Sequence, residues 1–495
     1  MEYTLSIDLK SFKRNYDEKK HQLVFLKTGI DDFDPLTVFM KISDDKKNSF
    51  FYESLKDGKL SGRYSVIGIK PDKILEIKGK KSKIYSGNVI HQEFDKDPIN
   101  SLREFTNDSL IEMNKTIPSI ASGIFGYIGY DFVTNIENLP KEKFDELNLP
   151  DGILLRPSIT VVFDKKLEEV LICRSVWFDE NVSAEKIYKK VYDQIISIKE
   201  KIDYPLHIEL ENTQKKLDKP KSNFTKEEYF KNVRKARDYI IAGDIFQVVP
   251  SQRLSIDFNS HPFLLYRSLR EINPSPYMYY IKFEDFFIVG SSPETLVKVE
   301  GKKITINPIA GTRPKEEDKD DEIKKSLLSD PKERAEHLML LDLGRNDVGR
   351  VSKVGSVNVK ESFEIQETSH LFHIFSTVEG ILESKEDRIS ALCAGFPAGT
   401  VTGAPKIRAM EIINELEVSK RGVYAGAIGY FSSSGDMDTA IALRTAVIKD
   451  SKMYVQVGGG VVYDSNEEYE YNETLNKAQA LFSAAEKVIE KVKKL

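Results

Sequence analysis

Two pairs of glutamates make the first chemical suggestion in this sequence. ERAEH sets Glu333 and Glu336 three residues apart, and EYEYNE does the same for Glu470 and Glu473. On a helix that spacing puts both carboxylates of a pair on one face. Two such faces brought together form a hard-oxygen site suited to magnesium, which keeps several waters and takes only one or two carboxylates. Each pair alone also suits a solvated helix face. A second suggestion lies in FPAGTVTGAPKIRAMEIINELE, residues 396–417, where glycines surround Thr400 and Thr402 and a predicted helix begins at Pro405. It is not a nucleotide loop, because three residues separate Gly399 from Gly403 and Lys406 does not directly follow the second glycine. Hydroxyls and free backbone amides at a helix entrance suit a carboxylate or another small anion. An ordinary turn capping a helix has the same pattern.

Other candidates are single residues or short strings. His370 and His373 in SHLFHIF have a spacing compatible with zinc but no convincing third ligand. His373, between Phe372 and Ile374, equally fits a core histidine. In VQVGGGVVYDS, Gly458, Gly459 and Gly460 follow a predicted strand and allow a ligand or another backbone to come close, or form a bulge. Arg444, in the predicted strand IALRTAVI, puts a guanidinium on a buried sheet, where it needs a carboxylate from the protein or a substrate.

The scaffold that must position these residues is mostly sheet in its first half. Runs such as LVFLK and RYSVIGI alternate with polar turns, and residues 153–176 read as a hairpin turning at Asp164 to Lys166. The stretch 205–224 is polar, holds two prolines and has no sustained period, which places the main boundary there. A helix follows, started by a capping box of Thr225 and Glu228 and stopped at Gly243. Further strands are expected in IFQVVPSQRLSI, YMYYIKF, FFIVGSS, TLVKV and KITINPI, and as a meander over 424–463. Helices are expected at 331–343, 386–394, 405–418 and 467–493. Groups of consecutive strands separated by helices argue for an α+β layered fold rather than a doubly wound sheet.

Lys and Arg number 73 against 78 Asp and Glu in 495 residues, a net charge of -5 without a long basic run, so nucleic acid is not an expected partner. No apolar run reaches membrane-spanning length, and the charged start MEYTLSIDLKSFKRNYDEKK lacks a signal-peptide core. Cys173 and Cys393 are too few for a disulfide framework, which fits a reducing, cytoplasmic setting.

Over residues 225–485 the strings IFQVVPSQR, PSPYMYY, SSPE, PIAGTRP, ERAEHLMLLDLGRND, GTVTGAPKIRAMEII, YAGAIGY, IALRTAVI and ETLNKAQAL occur in an order that resembles the chorismate-utilising enzymes, and within them the anthranilate synthase large subunits. YES, GRYS and GYIGYD extend the likeness thinly into the first half. The resemblance implies a sandwich of antiparallel β-sheets with helices packed outside. It further implies a regulatory and partner-contacting region over 1–218 and a chorismate-binding catalytic region over 219–495. Glu336 and Glu473 match magnesium ligands, with Glu333 and Glu470 reaching the ion through water. Tyr424, Arg444 and the backbone of Gly458 to Gly460 match positions that bind the enolpyruvyl carboxylate, and Gly311 and Thr312 match another substrate contact. Lys477 and Thr400 match pocket residues. Glu294 matches the acid that assists loss of the 4-hydroxyl, and His373 is the candidate for proton transfer at carbon 2.

The implied reaction is attack of ammonia on carbon 2 of chorismate, then elimination of pyruvate to give anthranilate, the first committed step of tryptophan biosynthesis. Family members that use water carry a lysine where this chain has Gln247. Many aminodeoxychorismate synthases carry a lysine where it has Ala310. That paralogue, a folate-pathway enzyme, is the alternative. Neither cysteine lies in a glutaminase nucleophile motif, so a separate glutamine amidotransferase subunit, and hence a hetero-oligomer, is expected. The family's inhibitor site for L-tryptophan maps to Ser54, Pro276, Tyr277 and Met278, with FFYES departing from the usual LLES.

Overall fold

A computed structural model describes residues 4–29, 33–43, 47–55, 62–140, 143–205, 210, 214, 216–316, 319–367 and 371–493. His370, and with it half of the HxxH spacing, lies outside the described residues. The strands form two antiparallel sheets joined through two long strands, Tyr64–Lys78 and Gly152–Asp164, which pair along their length with one register shift between Pro71 and Lys73. The first half of Tyr64–Lys78 borders Ser49–Glu53, whereas its second half borders Lys81–Ser86. Gly152–Asp164 similarly divides between Glu169–Val176 and Gly123–Ile128.

From there the first sheet runs through Ser49–Glu53, Tyr277–Lys282, Phe286–Ser292, Thr445–Lys449, Lys452–Gly458 and Ser251–Asp257. The second runs through Gly123–Ile128, Ala427–Ser432, Met437–Ile441, Thr295–Glu300, Lys303–Ile306 and Leu371–Ile381. Strand alternation turns Phe50, Tyr52, Tyr279 and Ile288 of one sheet toward Phe125, Tyr127 and Ile428 of the other, and Phe50 stacks on Phe125 with ring centroids 4.4 Å apart. Helices Leu9–Asp17, Ala184–Asp203, Pro262–Ile272 and Glu467–Lys493 cover the outside of the first sheet, and Pro98–Asn107, Pro331–Gly349 and Arg388–Gly395 that of the second. This is the α+β sandwich with external helices that the sequence leads one to expect. Sheet pairing runs across the 218/219 position, since Ser49–Glu53 pairs with Tyr277–Lys282 and Gly123–Ile128 with Ala427–Ser432.

Several local expectations shift. The hairpin strands end at Asp164 and resume at Glu169, so the turn is longer than Asp164 to Lys166. Pro405 caps helix Lys406–Leu416 instead of starting it, and the capping box at Thr225 is present with both reciprocal hydrogen bonds. The largest correction concerns IALRTAVI, which is not one strand. Strand Met437–Ile441 belongs to the second sheet and Thr445–Lys449 to the first, and Arg444 stands between them with φ 47. Apolar residues on both sides of the crossover hide the break from any periodicity argument. Among the described residues no helix is long and apolar enough to cross a membrane.

Candidate active site

Two crossovers between the sheets create the centre of the site. Glu294 lies where the chain passes from Phe286–Ser292 to Thr295–Glu300, and Arg444 where it returns from Met437–Ile441 to Thr445–Lys449. The crossovers are bound to each other by main chain: the Ile441 amide donates to the Glu294 carbonyl at 3.0 Å, and the Ser291 amide to the Arg444 carbonyl at 3.2 Å. Glu294 is 7% exposed, and burial pushes its carboxyl up to about 8 against the opposing influence of Thr400, the Arg444 charge and the Ile309 amide. The Thr400 hydroxyl faces this carboxyl without hydrogen-bond geometry, so its buried Oγ1 has no partner. Arg444 donates to the Asn273 side chain at 3.4 Å and has no carboxylate within ion-pair distance among the described residues. A half-buried guanidinium without an acid is suited to an anionic ligand.

His373 stands opposite Thr312 where Leu371–Ile381 pairs with Ile309–Pro314, its Nδ1 lying 3.1 Å from the Thr312 hydroxyl. Burial and the Arg444 charge lower its pKa to about 4, so the ring is neutral near pH 7. Gly311 sits at the bulge of that pairing with φ 71, and a Cβ there would lie 3.0 Å from Glu333 Oε2. The glycine therefore serves a close approach as well as a backbone conformation.

The glutamate pairs come from two helices. Asp330 caps Pro331–Gly349 and shares Arg313 with Glu333, whose ion pair is 2.7 Å. Burial and the charges of Glu333 and Glu473 raise Glu336, which accepts a long hydrogen bond of 3.5 Å from Gln247. In Glu467–Lys493, Glu473 pairs with Lys477 at 2.6 Å, and Lys477 also donates to the Gly458 carbonyl at 3.0 Å. Glu470 accepts from Ser465 at 2.6 Å, while its buried Oε2 has no partner and burial beside Glu473 pushes the carboxyl up to about 7. The three glycines pack where side chains could not. A Cβ would meet the Tyr424 hydroxyl at 2.8 Å from Gly458, Glu470 Oε2 at 3.1 Å from Gly459, and Gln247 Nε2 at 2.6 Å from Gly460.

The structure thus gathers Glu333, Glu336, Glu470, Glu473, Lys477, Tyr424 and the three glycines into one neighbourhood, and Glu294, Thr400, Arg444, His373 and Thr312 into an adjoining one, with Gly311 and Glu333 at the junction. Among the described residues no three acidic, histidine or cysteine side chains form a closed ligand set. Glu336 and Glu470, each raised by burial and by the charge of Glu473, and the partnerless Glu470 oxygen nevertheless fit a hard dication bound by one or two carboxylates together with water. Arg313 and Gln247 took no positive role in the sequence reading. They touch Glu333 and Glu336, and the sequence signal for Arg313 is its place two residues after Gly311 in PIAGTRP.

Ser54, Pro276, Tyr277 and Met278 line a different cavity of about 390 Å³, together with Tyr430 and Asp438. The Tyr277 hydroxyl lies 2.8 Å from Thr295 Oγ1 and donates to Asp438 at 3.0 Å. Thr295 and Asn307 also border the small pocket beside Glu294.

Residues 47–483 match the family described as chorismate binding enzyme. Anthranilate synthase component 1 of Cereibacter sphaeroides is 47% identical over 486 residues, covering 96% of this chain and 97% of that protein. The component 1 of Pseudomonas aeruginosa is 44% identical, with 92% and 93% covered. The crystal structure of anthranilate synthase component I from Streptococcus pneumoniae superposes with a TM-score of 0.76 at 37% identity, covering 92% of this chain and 98% of that one. The menaquinone-specific isochorismate synthase of Escherichia coli, at 17% identity and a TM-score of 0.68 with 96% and 98% covered, shares the fold. By its matched length and its identity to proteins named anthranilate synthase component 1, this chain belongs to the chorismate binding enzyme family.

Proposed function

We propose that this chain converts chorismate and ammonia to anthranilate and pyruvate, a reading supported by its relatives' name, anthranilate synthase component 1, and by the family description, chorismate binding enzyme. The observation that carries the reading is Glu294, a buried carboxyl held protonated near neutral pH beside an arginine without an acid partner. Hydroxide is a poor leaving group, so loss of the 4-hydroxyl needs a proton delivered as the bond breaks, and Glu294 is the donor. Ammonia bonds to carbon 2 as the ring double bonds shift, the hydroxyl departs as water, and the spent carboxylate faces Arg444. His373, neutral and fixed through Nδ1 by Thr312, then takes the proton from carbon 2 as the bond from carbon 3 to the enolpyruvyl oxygen breaks, and the released enolpyruvate takes up a proton at its methylene carbon to become pyruvate. Arg444 and Tyr424 bind the enolpyruvyl carboxylate, with Gly458 to Gly460 leaving room for it. Glu336 and Glu473, with Glu333 and Glu470 behind them, would hold magnesium, which when bound would supply electrostatic stabilisation of the ring carboxylate.

Incubating the purified chain with chorismate, magnesium and ammonium tests this through anthranilate fluorescence. Accumulation of 4-amino-4-deoxychorismate would transfer the chain to the folate-pathway alternative, and absence of either product would defeat the reading. After chelation, magnesium is expected to restore turnover and zinc is not.

A separate glutaminase is the proposed ammonia source. Cys173 is fully buried and Cys393 partly so, and burial pushes both thiols up to about 12, the opposite of an activated nucleophile. Glutamine alone should therefore give no product with this chain, whereas ammonium should. The 390 Å³ cavity is the proposed site for L-tryptophan as inhibitor. Ser54→Ala combined with Tyr277→Phe is expected to weaken inhibition roughly tenfold or more, since each residue borders the cavity with a polar group. Unchanged inhibition would place the inhibitor elsewhere.

A further inference from the structure

Behind the glycine strand and the GTVTG loop lies a buried ion pair that no step of the reaction uses. Arg421 and Glu417 are 3% and 5% exposed. Arg421 Nε donates to both Glu417 oxygens at 3.2 and 3.0 Å, and Nη2 to Oε1 at 2.6 Å. The remaining reach of the guanidinium goes to main chain from two other segments: Nη1 donates to the Val401 carbonyl at 2.7 Å and Nη2 to the Val249 carbonyl at 2.6 Å. Its carbon lies 4.6 Å from the centroid of the Tyr130 ring and 5.4 Å from that of Tyr424. Glu417 Oε1 also accepts from the amide and hydroxyl of Ser251 at 2.8 and 2.7 Å. On the next residue, the Gly422 amide donates to Asp131 at 2.7 Å, tying the GYIGYD segment of the first half to the same point.

Stability alone does not account for this arrangement, because a buried ion pair gains little over apolar residues of the same volume. Geometry accounts for it better. A carboxylate and two carbonyls from separate segments are met at once by a planar fork of donors, which lysine, with a point charge, does not reproduce. Val401 follows Thr400, Val249 lies two residues after Gln247, and the Val249 amide closes the set by donating to the Thr402 carbonyl at 2.9 Å.

We propose that Arg421, held by Glu417, is a positioning residue that sets Thr400, Gln247 and Tyr424 relative to one another, an inference that rests on the proposed function for the role of Tyr424. Arg421→Lys keeps the charge and loses the fork. The double variant Glu417→Gln with Arg421→Met removes both charges and leaves neither stranded.

Three measurements on both variants decide the matter: thermal melting, kinetics with chorismate and ammonium, and hydrogen exchange of the amides at 247–250 and 399–404. Both variants are expected to fold, with kcat/KM for chorismate lowered roughly 10²-fold by misplacement of the site. Exchange in the two named segments should rise roughly tenfold while that of helix Pro331–Gly349 stays unmoved, which marks local release rather than general loosening. Full kcat/KM with unchanged exchange would overturn the proposal. So would exchange rising evenly through the molecule, or failure of both variants to fold, since either means a merely structural pair. Absence of anthranilate from the unaltered chain would defeat the proposed function instead, and the exchange pattern would still decide the role of Arg421.

Discussion

Replacing Glu294 by glutamine is expected to lower kcat for anthranilate formation by roughly 10²–10⁴-fold, the range that a positioned acid supplies. The same substitution should raise the melting temperature at pH 8. Burial raises the carboxyl of the folded chain from 4.5 to about 8, so the folded state binds this proton more tightly than the unfolded state does. Stability then falls as pH rises between those two values, because folding must keep a proton that the unfolded chain releases. Glutamine removes that dependence. The melting difference between variant and unaltered chain should be near zero below pH 4.5, widen toward pH 8 and level off above it. Acid-dependent turnover should decline over the upper part of the same window, as Glu294 loses its proton. A variant with unimpaired kcat would remove Glu294 from the mechanism, and a melting difference independent of pH would mean that the carboxyl is ionised in the folded protein.

The second large effect is expected at the clustered carboxylates. Glu336→Gln should lower magnesium-dependent turnover by roughly 10²–10³-fold, comparable to loss of one preorganised electrostatic partner. In metal-free buffer the variant should melt higher than the unaltered chain, because it removes one member of a partly buried set of like charges formed with Glu333 and Glu473. Adding magnesium should raise the melting temperature of the unaltered chain and change that of the variant little, since ligand binding to the folded state stabilises it by mass action. Equal magnesium stabilisation of both proteins would show that the ion binds elsewhere. These two expectations share one physical form: in each, an acidic group is kept where folding alone disfavours it.

Much of this was legible from sequence because the informative residues lie in short contiguous strings. The spacing of Glu333 and Glu336, and of Glu470 and Glu473, gives one helical face for each pair without reference to the rest of the chain. The capping box at Thr225 is equally local, and it is present. The α+β layering follows from groups of consecutive strands, the sandwich is what the family resemblance implies, and the two sheets and external helices agree with both.

Arg444 shows where local reading stops. Its string is apolar on both sides of Arg444 and Thr445 and so reads as one strand, whereas the chain changes sheets there, and a crossover is defined by which distant strands accept each half. Arg421 was missed for a related reason. Its partners are carbonyls at Val249 and Val401, and main-chain acceptors leave no mark in side-chain types. The unfilled oxygen of Glu470 likewise depends on what fails to reach it, which only three-dimensional placement reveals.

The pairing of Ser49–Glu53 with Tyr277–Lys282 bears on how the chain is made as well as on how it is held. Glu53 accepts hydrogen bonds from Tyr266 and Arg270, and the Tyr266 contact spans 213 positions in the chain. During synthesis the leading segment therefore leaves the ribosome with one sheet border open, and it waits for its neighbour until much of the remaining polypeptide has been translated. Such distant closure favours slow maturation and exposes an adhesive border meanwhile, so yield of native protein should respond to translation speed and to chaperones that shield unfinished edges.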